Sequence, residues 1–203
     1  MNSTLTTLPS WARTSELMEH YYLTEWGVPV TDEQGVFERL SLEVFQCGLS
    51  WKTILAKRDA FREVFHAFEV DRVAATGESD VERLMGDRRI IRNRRKIEAT
   101  ISNARAAQAL REEGTDLAAL IWSYVPEKTY APQAQEDIPS RDETSTRMSK
   151  DLKARGFSFV GPTTCFALME AIGIVDTHLV TSPRRGSSGV FDSDGRRVPG
   201  EAG

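Results

Sequence analysis

The sequence predicts an all-α protein. Apolar residues recur at three- and four-residue spacing over most of the chain, and no stretch alternates apolar and polar side chains for the length of a strand. Cap and stop residues also bracket the apolar runs at helix-like intervals. Thr31-Asp32 caps a helix whose stripe runs Val36, Leu40, Glu43 and Cys47, with Gly48 as its stop. Ser50 opens a second helix carrying Ile54, Leu55, Phe61, Val64, Phe65 and Phe68. Ser79 and Glu82 fit a capping box ahead of Leu84, and Gly86 ends that short piece. A longer helix from about Arg92 to Glu113 sets Ile97, Ile101 and Ala104 on one face. Thr115-Asp116 starts LAALIWSYV. The stretch PEKTYAPQAQEDIPSRDETS is proline-rich and polar, and reads as a long surface loop. Helices return with TRMSKDLKARG and PTTCFALMEAIG, where Pro162 suits a first turn and Gly173 a C-terminal cap. From Pro183 the chain holds almost no core-forming residues, which predicts a disordered tail over 183–203.

A chain of 203 residues is long enough for one domain with a sizeable core. Twenty-six basic against thirty acidic residues, a net charge of −4, argue against coating nucleic acid by bulk charge but leave room for a local basic face. Cys47 and Cys165 form no CxxC pair and read as reduced core thiols. His20, His66 and His178 are scattered, without metal-ligand spacing. No apolar run is long enough for a membrane span and the N-terminus has no signal-peptide pattern, so the expected location is the cytoplasm.

Four features carry chemistry. Glu43 lies on an apolar stripe, where a carboxylate needs a partner. It reads either as a rim or arginine-paired residue or as a functional acid. Tyr21, Tyr22, Trp26 and Trp51 flank that helix in sequence, as core aromatics or as the flat walls of a nucleobase pocket. Residues 152–178 join two helices through Gly156-Phe157-Ser158-Phe159-Val160-Gly161, a hairpin able to cradle a phosphate or simply to turn. Finally RRIIRNRRK, at 88–96, holds six basic residues in nine and is either a solvated face or a patch that tracks a nucleic-acid backbone.

Together, YYLTEWGVPVTDE, LSLEVFQCGLSWKTILAKR, IIRNRRKIEATISNA and LKARGFSFVGPTTCFALMEAIGIVDTH resemble the DNA-3-methyladenine glycosylase I family. The resemblance runs in order from about Tyr21 to His178, so the domain is placed at 1–182 with about the first twenty residues poorly matched. It implies a helical bundle with a helix-hairpin-helix DNA-binding element, and excision of 3-methyladenine by base-excision repair, leaving an abasic site without lyase activity. It implies that Glu43 accepts hydrogen bonds from the methylated base, that Tyr21 and Trp51 stack on it, and that Trp26 is a further pocket aromatic. Duplex contacts are implied at Gly48 and Leu49 and along the hairpin at Lys153, Arg155, Gly156, Ser158, Gly161 and Thr163. The expected partners are double-stranded DNA with alkylated bases and free 3-methyladenine as product; the expected form is a monomer away from membranes.

The sequence departs from the family pattern in two respects. Relatives fasten their ends with zinc on two cysteines and two histidines, whereas the matching positions here are Pro9, Tyr22, His178 and Ser182. No cofactor is therefore expected, and the ends are joined otherwise, as by packing of Trp11, or are loose. Asp176 stands where relatives often carry asparagine and the wider superfamily a catalytic aspartate, so it is a candidate catalytic carboxylate or a helix N-cap. The alternative to a glycosylase is a catalytically idle helix-hairpin-helix protein that binds DNA or nucleotides.

Overall fold

In the computed structural model, residues 8–198 are described, and they divide into two compact units. One comprises the described residues up to Val30, Tyr124–Ser140 and those from Met169 onward; the other comprises Thr31–Ser123 and Arg141–Leu168. Among the described residues there is no β-ladder beyond two isolated bridges, Lys128 with Arg196 and Phe191 with Arg197. The all-α expectation holds. Among the described residues no helix is long and apolar enough to cross a membrane.

The second-named unit holds most of the helices. Helices α2 (Glu33–Gln46), α3 (Trp51–Leu55), α4 (Arg58–Val64), α5 (Val70–Ala74), α6 (Glu78–Gly86), α7 (Arg94–Glu112), α8 (Leu117–Trp122) and α9 (Glu143–Ala154) follow one another, after an α1 (Glu16–Thr24) that belongs to the other unit. Side-chain caps set several starts: Asp32 accepts from the Gly35 amide at 2.8 Å, Ser50 from Thr53 at 3.2 Å and Asp116 from Ala119 at 2.7 Å. Helix α2 packs on α3, α7 and α8, while α7 also packs on α5 and α6. Their apolar faces meet in a core rich in phenylalanine: Phe37, Phe45, Phe61, Phe65 and Phe68 are buried. Ile97, Ile101 and Ala104 line the buried face of α7 as their spacing predicts.

Three local expectations are corrected here. The single helix from Ser50 to Phe68 is three pieces: it breaks at Lys57, which leaves the helical region at φ −107° and ψ 2°, and again where His66, Ala67 and Phe68 all adopt positive φ in a left-handed turn. That conformation costs about 1–2 kcal/mol per residue. It is offset by bringing Phe65 and Phe68 into a stack with ring centres 5.7 Å apart. The cap of α6 is not Ser79 with Glu82; the Asp80 carboxylate accepts from the Gly77 amide at 3.4 Å. Helix α9 begins at Glu143, before the expected Thr146, because Asp142 accepts from the Ser145 amide at 2.6 Å.

Helix α10 (Pro162–Ala171) contains the division between the units, after Leu168. In the other unit, α1 is preceded by a 3-10 turn at Ala12–Thr14, and Leu8, Ala12 and Tyr22 form a small core under Trp11, Leu23 and Trp26. Gly27 and Gly173 meet at close range: a Cβ on Gly173 would lie 2.8 Å from the Gly27 carbonyl, and one on Gly27 2.7 Å from the His178 ring. Both also have positive φ, which explains the glycine of the EWGVP run.

The disordered tail expected from 183 is corrected for residues 183–198. Phe191 is 1% exposed, and backbone hydrogen bonds join this segment to Tyr124–Ser140: Thr129 donates to Gly195 at 2.8 Å and Arg197 to Glu127 at 3.0 Å. One apolar anchor and satisfied backbone groups order a stretch whose composition is polar. The last five residues, 199–203, lie outside the described residues, as do 1–7.

Candidate active site

Each unit supplies part of the expected machinery. In the helix-rich unit, α2 carries Glu43 at 6% exposure, flanked by buried Leu42 and Val44. Cys47 closes the helix by donating its amide to the Glu43 carbonyl at 3.3 Å. Gly48 then turns the chain at φ +79°, and Leu49, 38% exposed, points an apolar side chain outward. Ser50 caps α3, whose first residue is the half-buried Trp51. One short turn therefore links the helix of the acid to the helix of the aromatic ring.

The hairpin runs from α9 to α10 in this same unit. Gly156 takes φ +88° and Phe159 takes φ +58°, while Phe157 and Val160 are buried as its apolar anchors. Lys153, Ser158 and Thr163 are exposed, Gly161 is half-buried, and Arg155 pairs with Glu113 at 2.5 Å. Asn103 of α7, which no motif singles out, clamps the hairpin: it accepts from the Ser158 amide at 2.7 Å and donates to the Ser158 carbonyl at 3.1 Å. Ser149 adds a bond to the Val160 carbonyl at 2.6 Å. A buried asparagine amid apolar α7 positions is the one sequence signal for this, since such a group requires partners.

Three of the six basic residues in the run at 88–96 are engaged within this unit. Arg89 pairs with Asp87 and Glu63, and Arg94 with Glu78, Glu82 and Glu98. Lys96 is buried, with its ammonium on the carbonyls of Phe45 and Cys47. Arg88, Arg92 and Arg95 stay exposed.

In the other unit, Tyr21 is buried on α1. Trp26, expected as a pocket aromatic, sits in a ring cluster: it stacks on Tyr22 at 5.5 Å and meets Trp11 at 5.5 Å and His178 at 4.7 Å edge to face. Asp176 is 4% exposed and no helix follows it, so the helix-cap expectation is corrected. Its Oδ1 accepts from the His178 amide at 2.9 Å and from His178 Nδ1 at 2.8 Å, and its Oδ2 accepts from the Gly186 amide at 2.8 Å. Burial alone would raise the Asp176 pKa, but these bonds outweigh it and hold the carboxyl below its ordinary value.

The methyladenine glycosylase family model matches residues 11–185. The chain belongs to that family. The match begins ahead of Tyr21, where the sequence resemblance started, and takes in the Trp11 region. This methyladenine glycosylase is 44% identical over 172 residues to DNA-3-methyladenine glycosylase 1 of Escherichia coli K12, covering 84% of this chain and 92% of that protein. A crystal structure of 3-methyladenine DNA glycosylase I superposes with a TM-score of 0.83 at 42% identity, over 86% of this chain and 97% of that one. A tyrosine-to-phenylalanine variant of a 3-methyladenine DNA glycosylase I, solved in complex with 3-methyladenine, gives 0.82 at 32% identity, over 93% and 98%.

The positions matched to the family's zinc ligands do not suit the ion in this methyladenine glycosylase. Pro9 offers no side-chain donor. The Tyr22 hydroxyl and Ser182 hydroxyl are hydrogen-bonded to each other at 2.9 Å, and burial raises the Tyr22 pKa against the lowering effect of that bond. His178 spends Nδ1 on Asp176. Among the described residues no three His, Cys, Asp or Glu side chains converge as a metal site. Trp11 packs edge to face on Tyr22 at 5.4 Å, and the contacts to the C-terminal segment are made by Tyr22 and Trp26 on Ser182 and His178.

Proposed function

We propose that this methyladenine glycosylase hydrolyses the N-glycosidic bond of 3-methyladenine in double-stranded DNA, as a cytoplasmic monomer that flips the damaged nucleotide and leaves an abasic site. The observation that carries the reading is a buried glutamate, Glu43, retained on the apolar stripe of α2 in a chain of this family.

The chemistry is modest because the lesion is already activated. Alkylation at N3 makes the adenine cationic. When the bond from C1′ to N9 breaks, its electron pair neutralises the ring and the base leaves as neutral 3-methyladenine. Water adds to the electron-poor C1′ and releases a proton, giving the abasic sugar. The protein has chiefly to unstack the nucleotide, for a few kcal/mol, and to select the charged purine. In this reading Glu43 accepts hydrogen bonds from the base and favours its positive charge, while the rings of Tyr21 and Trp51 take its faces. Trp26 supports α1 from within its aromatic cluster. Gly48 and Leu49 probe the vacated stack. The α9–α10 hairpin acts as the helix-hairpin-helix element, with Lys153, Arg155, Gly156, Ser158, Gly161 and Thr163 along the phosphates. Asp176 orders the surrounding chain through the three hydrogen bonds its carboxylate accepts.

The test is release of free base from methylated duplex without strand cleavage, followed by Glu43→Gln. The neutral amide is expected to cost about 1.5–3 kcal/mol in affinity for free 3-methyladenine. No released base from the wild-type chain, or unchanged base affinity in the variant, overturns the reading.

A further inference from the structure

We propose that Lys96 is a positioning residue that fixes the turn presenting Leu49 to the duplex. This deepens the proposed function and rests on it. The last turn of a helix leaves carbonyls without amide partners, and α2 ends by an irregular route: Cys47 at φ −45° and ψ 113°, then Gly48 at φ +79°. Local bonds hold part of the turn. Leu49 donates its amide to Gln46 at 2.7 Å, and the Gln46 side chain donates back to the Leu49 carbonyl at 2.9 Å. Lys96 supplies the tie to another element. Its ammonium reaches from the first turn of α7 to the Phe45 carbonyl at 2.8 Å and the Cys47 carbonyl at 2.5 Å, one on the helix and one on its exit.

The placement is specific to a charge. Lys96 is 6% exposed, an unusual state for lysine, and a buried ammonium is tolerated where carbonyls and the negative end of a helix surround it. Burial lowers its pKa from the ordinary lysine value, opposed in part by Cys47. Asn93, by accepting from the Lys96 amide at 3.3 Å, fixes where on α7 the side chain starts. Around the turn the other contact to a distant element is the weak one between Cys47 Sγ and Thr164 Oγ1 at 3.5 Å; a Cβ on Gly48 would meet nothing within 4 Å, and Leu49 faces outward. Glu43 lies a full turn earlier, within the regular part of α2. Loss of the ammonium therefore releases residues 47–49 and leaves the acid in place.

The experiment is Lys96→Met with three readouts. The KM for methylated duplex is expected to rise about tenfold, the size of one lost charged hydrogen bond. The single-turnover plateau rate and the affinity for free 3-methyladenine stay within about threefold of wild type. Combined with Leu49→Ala, the effects on KM are non-additive, because both changes remove the same turn from the duplex. Hydrogen exchange at the Leu49 amide accelerates independently of any activity, and Lys96→Arg, which keeps the charge, recovers most of the KM. Base affinity falling in step with duplex affinity, or additive effects, overturns the proposal. If Lys96→Met does not fold, exchange at Leu49 in Lys96→Arg decides: protection equal to wild type when the charge is kept supports the clamp, and loss of protection despite the charge overturns it. A wild-type chain that releases no base sinks the proposed function instead, while the exchange result stands separately.

Discussion

At the scale of the residue, Asp176 shows how identical chemistry is redirected by its neighbours. An aspartate in the VDTH run is a reasonable candidate for stabilising a developing oxocarbenium charge. Here its lone pairs already serve two donors of His178 and the Gly186 amide, and Arg185 donates to its main-chain carbonyl at 2.9 Å. A carboxylate so occupied, and 4% exposed, is held first of all by the fold. Asp176→Asn must set an amide N–H against a donor on one side, since all three neighbours donate to the carboxylate. The expected result is a loss of about 2–4 kcal/mol and a fall in melting temperature of about 5–10 °C. Single-turnover excision measured well below that temperature should stay within about threefold of wild type. Excision lost with the melting temperature intact would return Asp176 to the chemistry.

At the scale of the element, α10 couples local electrostatics to pH. Glu170 sits in its last turn, near the negative end of the helix dipole, and its carboxyl is pushed up to about 7 by burial, with the Thr177 hydroxyl bond at 2.6 Å opposing the rise. The unfolded chain ionises near ~4.3. Between those values the native state holds the proton that the unfolded state has lost, so this group's contribution to stability falls as pH rises from about 4.5 to about 7. Glu170→Gln keeps an acceptor for Thr177 and cannot ionise. It should match wild type near pH 4.5 and exceed it by about 1–3 kcal/mol at pH 8, read from denaturant midpoints at both values. A constant difference between variant and wild type across that range would refute the assignment. Elements such as α2, α7 and α8 were legible because cap, stripe and stop coincide in the sequence, as at Asp32, Val36 and Gly48. The left-handed turn at His66–Phe68 was not legible, since it contains no glycine and is set by ring packing. Glu43 was legible as an acid on an apolar stripe. Lys96 and Asn103 were not, because their partners lie fifty residues away in the chain and no local pattern encodes them.

At the scale of the whole molecule, the fastening of the chain ends is where this member departs from the family pattern. The positions matched to zinc ligands hold a Tyr22–Ser182 hydrogen bond, a His178 held by Asp176, and the rings of Trp11 and Trp26 around them. The segment after Ser182 completes this arrangement, since Gly186 and Arg185 hold Asp176 while Gly195 accepts from Thr129. Phe191 adds a fully buried ring, worth about 1.5–3 kcal/mol in transfer terms. Composition alone makes residues 183–198 look dispensable; their contacts make them structural. A chain ending at Ser182 loses the Gly186 and Arg185 bonds to Asp176 together with Phe191. It is therefore expected to melt about 5–15 °C lower, and limited proteolysis should cut first within Tyr124–Ser140. A chelator should leave the melting temperature of the full chain unchanged, because its fastening is made of hydrogen bonds and rings. An unaltered melting curve in the shortened chain would make the segment a passive tail, and a chelator-induced drop in the full chain would place a metal in the clasp.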